Sequence, residues 1–150
     1  MPIFGFAKQK AAGKIGEADF FKYYAYLGVK KEDGLKWDFS LDGDGIELKL
    51  DSWKMCETPN LFIELVSNVD KQTKGGVYRA FEDKVKYFVY YYIQDKTFLW
   101  YDVGGLYQFV KKNEPNLVLK TIRNKKYESL GALVKRRDVE KFIIRNDVFA

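Results

Sequence analysis

Asp38, Glu47 and Lys49 are the residues of this chain whose types and spacing suit chemistry on a phosphate ester. Leu35, Trp37, Phe39 and Leu41 alternate with Lys36, Asp38 and Ser40, and Ile46, Leu48 and Leu50 alternate with Glu47, Lys49 and Asp51. Period-two alternation marks half-buried strands, and Asp42-Gly43-Asp44-Gly45 between them reads as the turn of a hairpin. With Leu41 and Ile46 flanking that turn, Asp38 faces Lys49 and Ser40 faces Glu47. The three charged residues then share one polar face, within about 5–8 Å of one another at Cβ. A slip of one residue would bury the charges and expose the aliphatic face, so the pattern itself holds the trio together.

Two carboxylates at that separation repel unless a cation joins them, and a hard ion such as Mg²⁺, with Mn²⁺ as substitute, suits oxygen ligands. The neighbouring ammonium can hold a water for in-line attack on phosphorus while the metal stabilises developing charge. The plain alternative is an ordinary Asp38–Lys49 cross-strand ion pair, contributing below about 1 kcal/mol.

Composition narrows the chemistry further. The chain has no histidine, which removes Ser-His and Cys-His nucleophile pairs and histidine-ligated zinc. Its one cysteine, Cys56, can form neither an internal disulfide nor a cysteine-only zinc site, and suits a reducing cytosol. No apolar run approaches the roughly 18 residues of a membrane span, and no secretory leader is apparent at the start. The expected location is therefore the cytoplasm. Net charge is +5, but residues 111–145 hold eleven basic against four acidic side chains, leaving about −2 elsewhere. Lys125, Lys126, Lys135, Arg136 and Arg137 in that stretch are the candidates for contacting nucleic-acid phosphates. A solvated lysine-rich surface is the bland reading of the same charges.

The elements that must position the trio follow from periodicity. The 150 residues fit one domain, without repeats or linkers. Residues 1–14 read as a loose basic arm and Ile15–Leu27 as a helix closed by Gly28 in the left-handed conformation. Leu61–Ser67 reads as a third strand, Tyr78–Ile93 as a helix with the stripe Phe81, Val85, Phe88, Val89 and Tyr92, and Thr97–Val103 as a fourth strand. On that helix the run Tyr90-Tyr91-Tyr92 is expected to pack with hydroxyls toward solvent. A short helix at Leu106–Lys111, a strand at Leu117–Arg123 and a last helix near Arg137–Arg145 complete a basic extension. The expected fold is α/β, a mixed central sheet flanked by helices, with a core over about 15–103 and the extension over about 104–150.

Trp37-Asp38-Phe39, Ile46-Glu47-Leu48-Lys49-Leu50-Asp51, Asn60-Leu61-Phe62-Ile63-Glu64-Leu65, Gly75-Gly76, Ala80, Asp83-Lys84 and Tyr87, in the order helix, three strands, helix, strand, resemble the PD-(D/E)XK nuclease superfamily. They are most similar to its small phage-type Holliday-junction resolvases and related endonucleases. No proline precedes Asp38, as in many members. The resemblance implies a restriction-endonuclease-like αβββαβ core and Mg²⁺-dependent hydrolysis of DNA phosphodiester bonds, most simply in branched DNA during recombination. It makes Asp38, Glu47 and the Leu48 carbonyl metal ligands, and Lys49 the water-positioning group. It adds Glu17 as an acidic residue of the first helix, whose plain role is to favour the helix dipole. Glu64 is a weaker candidate whose face is undetermined, and Asp51 falls at the rim. A phage-encoded enzyme would act in the host cytoplasm. A homodimer is implied, since paired cuts across a junction need two sites. A restriction-like, nicking or exonucleolytic enzyme of the same fold is the alternative, as is a non-catalytic DNA-binding module.

Overall fold

The structure, a computed structural model, describes residues 6–33, 36–123 and 127–148. A helix, α1 (Phe6–Tyr24), comes first, followed by a 3₁₀ turn over Ala25–Leu27. The expected loose arm is thus helical from Phe6 onward. Gly28 closes the turn at φ 88°, which a glycine adopts without Cβ strain. Val29 packs back into the core at 4% exposure.

The chain then forms β1 (Lys30–Lys31), β2 (Phe39–Leu41), β3 (Asp44–Asp51), β4 (Asn60–Asn68) and β5 (Thr73–Lys74). Next come α2 (Gly76–Glu82), β6 (Val85–Tyr92), β7 (Thr97–Asp102) and α3 (Val103–Asn113). The C-terminal part is β8 (Val118–Arg123), β9 (Glu128–Lys135), α4 (Arg136–Val139) and β10 (Ile143–Val148).

Two sheets result. The first is mixed, in the order β1-β2-β3-β6-β7-β10, and the second, antiparallel, runs β5-β4-β9-β8. β3 and β6 are parallel, and the other pairs of the first sheet are antiparallel. The fold is therefore α/β with a mixed central sheet, as expected. The third strand of the sequence reading does not join the hairpin: β4 pairs with β9 and β5.

Both faces of the first sheet are covered. On one, Phe20 and Tyr24 of α1 pack with Phe39, Ile46, Val89, Tyr91, Phe98 and Trp100. On the other, Phe88, Tyr90, Tyr92 and Tyr101 meet Leu61, Ile63 and Val134 of the second sheet and Val77, Ala80, Leu106 and Val110 of α2 and α3.

This double burial explains the main departure from the sequence reading. The helix expected over Tyr78–Ile93 is a seven-residue helix and then a strand. Val85 and Phe88–Tyr92 are all buried, since a central strand covered on both faces is apolar at every position and its run mimics helical spacing. Lys84 at φ 59° breaks the two apart. The tyrosines do pack, but their hydroxyls find protein partners: Tyr90 donates to the Phe62 carbonyl at 3.2 Å and Tyr91 to Asp19 Oδ2 at 2.8 Å.

The helix expected near Arg137–Arg145 is likewise one turn of α4, a 3₁₀ turn and the strand β10, which pairs with β7. β9 (Glu128–Lys135) lies where the sequence reading placed no element. Gly104-Gly105 lie in the first turn of α3, where Asp102 caps the helix by accepting from Gly105 N–H at 2.8 Å.

Candidate active site

The hairpin turns more tightly than the sequence reading has it. Phe39 pairs with Ile46, Ser40 with Gly45 and Leu41 with Asp44, around the two residues Asp42 (φ 51°) and Gly43 (φ 85°). Two left-handed residues make the mirror-type turn whose twist matches antiparallel strands, and Asp-Gly favours it over the four-residue turn. The correction is one of two residues, so Asp38, Glu47 and Lys49 keep a common face while partners change; Trp37, expected on the face of Phe39, instead packs against the core cluster on the other side of the sheet. Asp38 N–H donates to the Ile46 carbonyl at 3.0 Å, and the Asp38 carboxylate accepts from Leu48 N–H at 2.9 Å. Asp38 therefore lies beside Ile46-Glu47-Leu48, and it is Glu47 that meets Lys49, Oε1 to Nζ at 3.3 Å.

The expected trio converges on one small cavity of about 120 Å³. Lys36, Asp38, Glu47 and Lys49 enter from the hairpin, Glu64 from β4, and Arg79 and Asp83 from α2 and its end. The face of Glu64, which the sequence left open, is thus toward the site. Sequence reading did not assign Lys36 to the site and missed Arg79. Its only signal was position, four residues before Asp83, to which its Nε lies 3.6 Å away.

Gly75 and Gly76, also lining the cavity, have a steric role. A Cβ on Gly75 would stand 2.4 Å from Glu64 Oε1, and one on Gly76, at φ 51°, only 1.8 Å from the Glu64 carbonyl. α2 can start directly against β4 because both residues lack a side chain.

Burial raises the Glu47 carboxyl above its ordinary range, the Lys49 ammonium pulls it back, and the Asp38 carboxylate raises it further. Burial also raises Glu64, opposed by Lys49 and Arg79. Charged groups are thus held in a partly desolvated pocket, where their interactions are stronger than in water.

Among the described residues no cluster of three or more acidic, cysteine or histidine side chains is able to hold a metal by itself. The donor set nonetheless fits Mg²⁺, which typically takes one or two carboxylates and fills its remaining positions with water and substrate phosphate oxygens. Asp38 and Glu47 would supply those carboxylates. Leu48 directs its N–H toward Asp38, and an extended residue presents its C=O along the same strand edge. The Leu48 carbonyl would be the third oxygen of the expected ligand set.

The remaining sequence candidates fall elsewhere. Glu17 lies well inside α1, is not in the first turn, and pairs with Lys31 at 3.5 Å; it does not line the cavity. Asp51 is half-buried and accepts from Trp53 N–H at 2.8 Å. Lys125 and Lys126 lie outside the described residues. Lys135 and Arg137 are exposed, Arg137 with 75% of its side chain open to solvent. Arg136 is not open in this way. It donates to the Thr58 and Met55 carbonyls at 2.6 and 2.9 Å and lies over the Tyr92 ring at 5.4 Å. Its guanidinium clasps the loop before β4 and is not free for phosphate.

No family model, curated protein or solved structure matches this chain. Among the described residues no helix is long and apolar enough to cross a membrane.

Proposed function

We propose that this chain is a metal-dependent nuclease of the PD-(D/E)XK type that hydrolyses DNA phosphodiester bonds. One observation carries the reading: Asp38, Glu47, Lys49, Glu64 and Arg79, from three separate elements, line one cavity. Packing alone gives no reason to collect five charged side chains there, since desolvating them costs free energy that an apolar interior would not.

Each residue has a task at a phosphate. Lys49, with 40% of its side chain exposed, reaches solvent at the cavity mouth and can hold a water in line with phosphorus. Glu47, beside it, fixes the ammonium and accepts a proton from that water's hydrogen-bond network. Arg79 offers a planar fork to the non-bridging oxygens. Asp38 is held in place by Leu48 N–H. Mg²⁺, held by Asp38, Glu47 and the Leu48 carbonyl, would supply charge stabilisation for the pentacoordinate phosphorus. The exposed Lys135 and Arg137 suit flanking phosphates.

The test is single-turnover cleavage of four-way junction, flap, duplex and single-stranded DNA with Mg²⁺, Mn²⁺, Ca²⁺ or chelator. Wild type cuts at least one substrate with Mg²⁺ or Mn²⁺ and none in chelator. Lys49→Ala stays folded by circular dichroism, binds DNA, and cuts at least about a hundredfold more slowly. Full activity in chelator, or a Lys49→Ala variant at the wild-type rate, overturns the proposal. A wild type that binds DNA without cutting any of it makes the chain a binding module.

A further inference from the structure

A second cavity of about 450 Å³ adjoins the first and shares Lys49 and Glu64 with it. It runs between the two sheets along the C-terminal half of β3. Its walls include Trp53, Phe62, Tyr90 and Ile122, with Asp51 and Lys120 among its polar groups. We propose that this groove receives a single unpaired nucleotide of the DNA strand being cut, its base stacked on Trp53. The inference rests on the nuclease reading and names the part of the substrate that the groove takes.

Three observations favour a base over a phosphate or a duplex. First, Trp53, Phe62, Phe88, Tyr90 and Ile122 give the lining an aromatic and aliphatic part beside its polar side chains, the surface on which bases stack and which a duplex backbone does not need. Trp53 is 38% exposed, so one part of the indole is anchored while the rest is open to a partner. Second, the cavity, at about 450 Å³, has the size of a small-ligand site, a volume on the scale of one nucleotide and far below that of a double helix. Third, the carboxylate of Asp51 lies on the wall, and burial raises it above its ordinary range. A carboxylate repels phosphate but accepts hydrogen bonds from the amino groups of cytosine or adenine. Lys120, exposed on the outermost strand of the second sheet, is the cation for the next phosphate along.

The sharing of Lys49 sets the geometry. A base seated in the groove brings its own phosphate toward the Asp38–Glu47–Lys49 cavity, so the cut falls beside an unpaired nucleotide. Substrates with such a nucleotide at or near a branch should be preferred to continuous duplex.

The experiment compares wild type, Trp53→Ala and Trp53→Phe. Anisotropy is measured in chelator with a labelled oligodeoxycytidylate and with a labelled duplex, and cleavage rates with Mg²⁺ on a duplex and on the same duplex carrying an unpaired flap. Circular dichroism checks the fold of each variant. Trp53→Ala should bind the single strand about tenfold more weakly, as expected for one lost stacking platform. Its duplex affinity should be unchanged, and its preference for the flap should disappear. Trp53→Phe should keep most of both. Equal single-strand affinity for Trp53→Ala and wild type overturns the inference, as does equal loss on both ligands or failure of phenylalanine to rescue. In any of those cases a wild type that still cuts DNA leaves the nuclease reading standing. A wild type that neither binds nor cuts removes both.

Discussion

Arg136 offers the sharpest separation between a charge that holds the fold and one that faces solvent. Arg136→Ala removes donors from the Thr58 and Met55 carbonyls, at 2.6 and 2.9 Å, and a cation from over the Tyr92 ring. Hydrogen bonds from a charged donor contribute about 1.5–3 kcal/mol each. Both carbonyls lie in part-buried surroundings, which water reaches in part once the side chain is gone, so the lower end of that range applies. Adding about 0.5 kcal/mol for the ring contact gives a loss of about 3–4 kcal/mol. For a chain of this length that is a fall in Tm of about 8–12 °C. Lysine cannot span both carbonyls with one ammonium, so Arg136→Lys should lose more than half as much. Arg137→Ala, next in sequence and equally basic, should stay within about 0.5 kcal/mol of wild type. Thermal unfolding followed by circular dichroism at neutral pH and moderate salt reads all three. If Arg136→Ala melts with Arg137→Ala, the clasp contributes nothing and Arg136 returns to the list of phosphate contacts.

Two further outcomes follow from the cavity. Because the Glu47 carboxyl is raised in the folded chain, the fold binds that proton more tightly than the unfolded chain does. Its stabilising contribution is therefore full below the ordinary value of 4.5 and lost as pH rises through the folded value. Metal-free Glu47→Gln should then melt above wild type at neutral pH and converge with it in acid, while losing cleavage. A Glu47→Gln that melts below wild type at neutral pH contradicts the burial argument. Gly76→Ala should cost at least about 2 kcal/mol and most of the activity, because its Cβ meets the Glu64 carbonyl and drives α2 off β4. Gly13→Ala, with nothing within 4 Å of the new Cβ, should be neutral or gain up to about 1 kcal/mol in its helix. Denaturant melts of the two variants check both.

The hairpin face bearing Asp38, Glu47 and Lys49 was legible in the sequence because strand alternation is local: each residue's face depends on its immediate neighbours. Gly28 was legible as well, because a left-handed closing turn depends on the residue's own missing Cβ. Register was harder, since a four-residue and a two-residue turn leave the same faces, and only the left-handed pair Asp42-Gly43 selects between them. The strand Val85–Tyr92 was not legible, because burial on both faces erases the period that distinguishes strand from helix. That double burial is a property of the second sheet and of α1, which lie far off in sequence. The same holds for the site's completion. Glu64 turns toward the cavity because β4 leaves β3 to pair with β9, and Arg79 arrives because Gly75 and Gly76 let α2 pack against Glu64. Sequence by itself determined which residues could do the chemistry on the hairpin. Tertiary packing decided which distant charges join them, because desolvation and contact between separate elements exist only once the sheets close on each other.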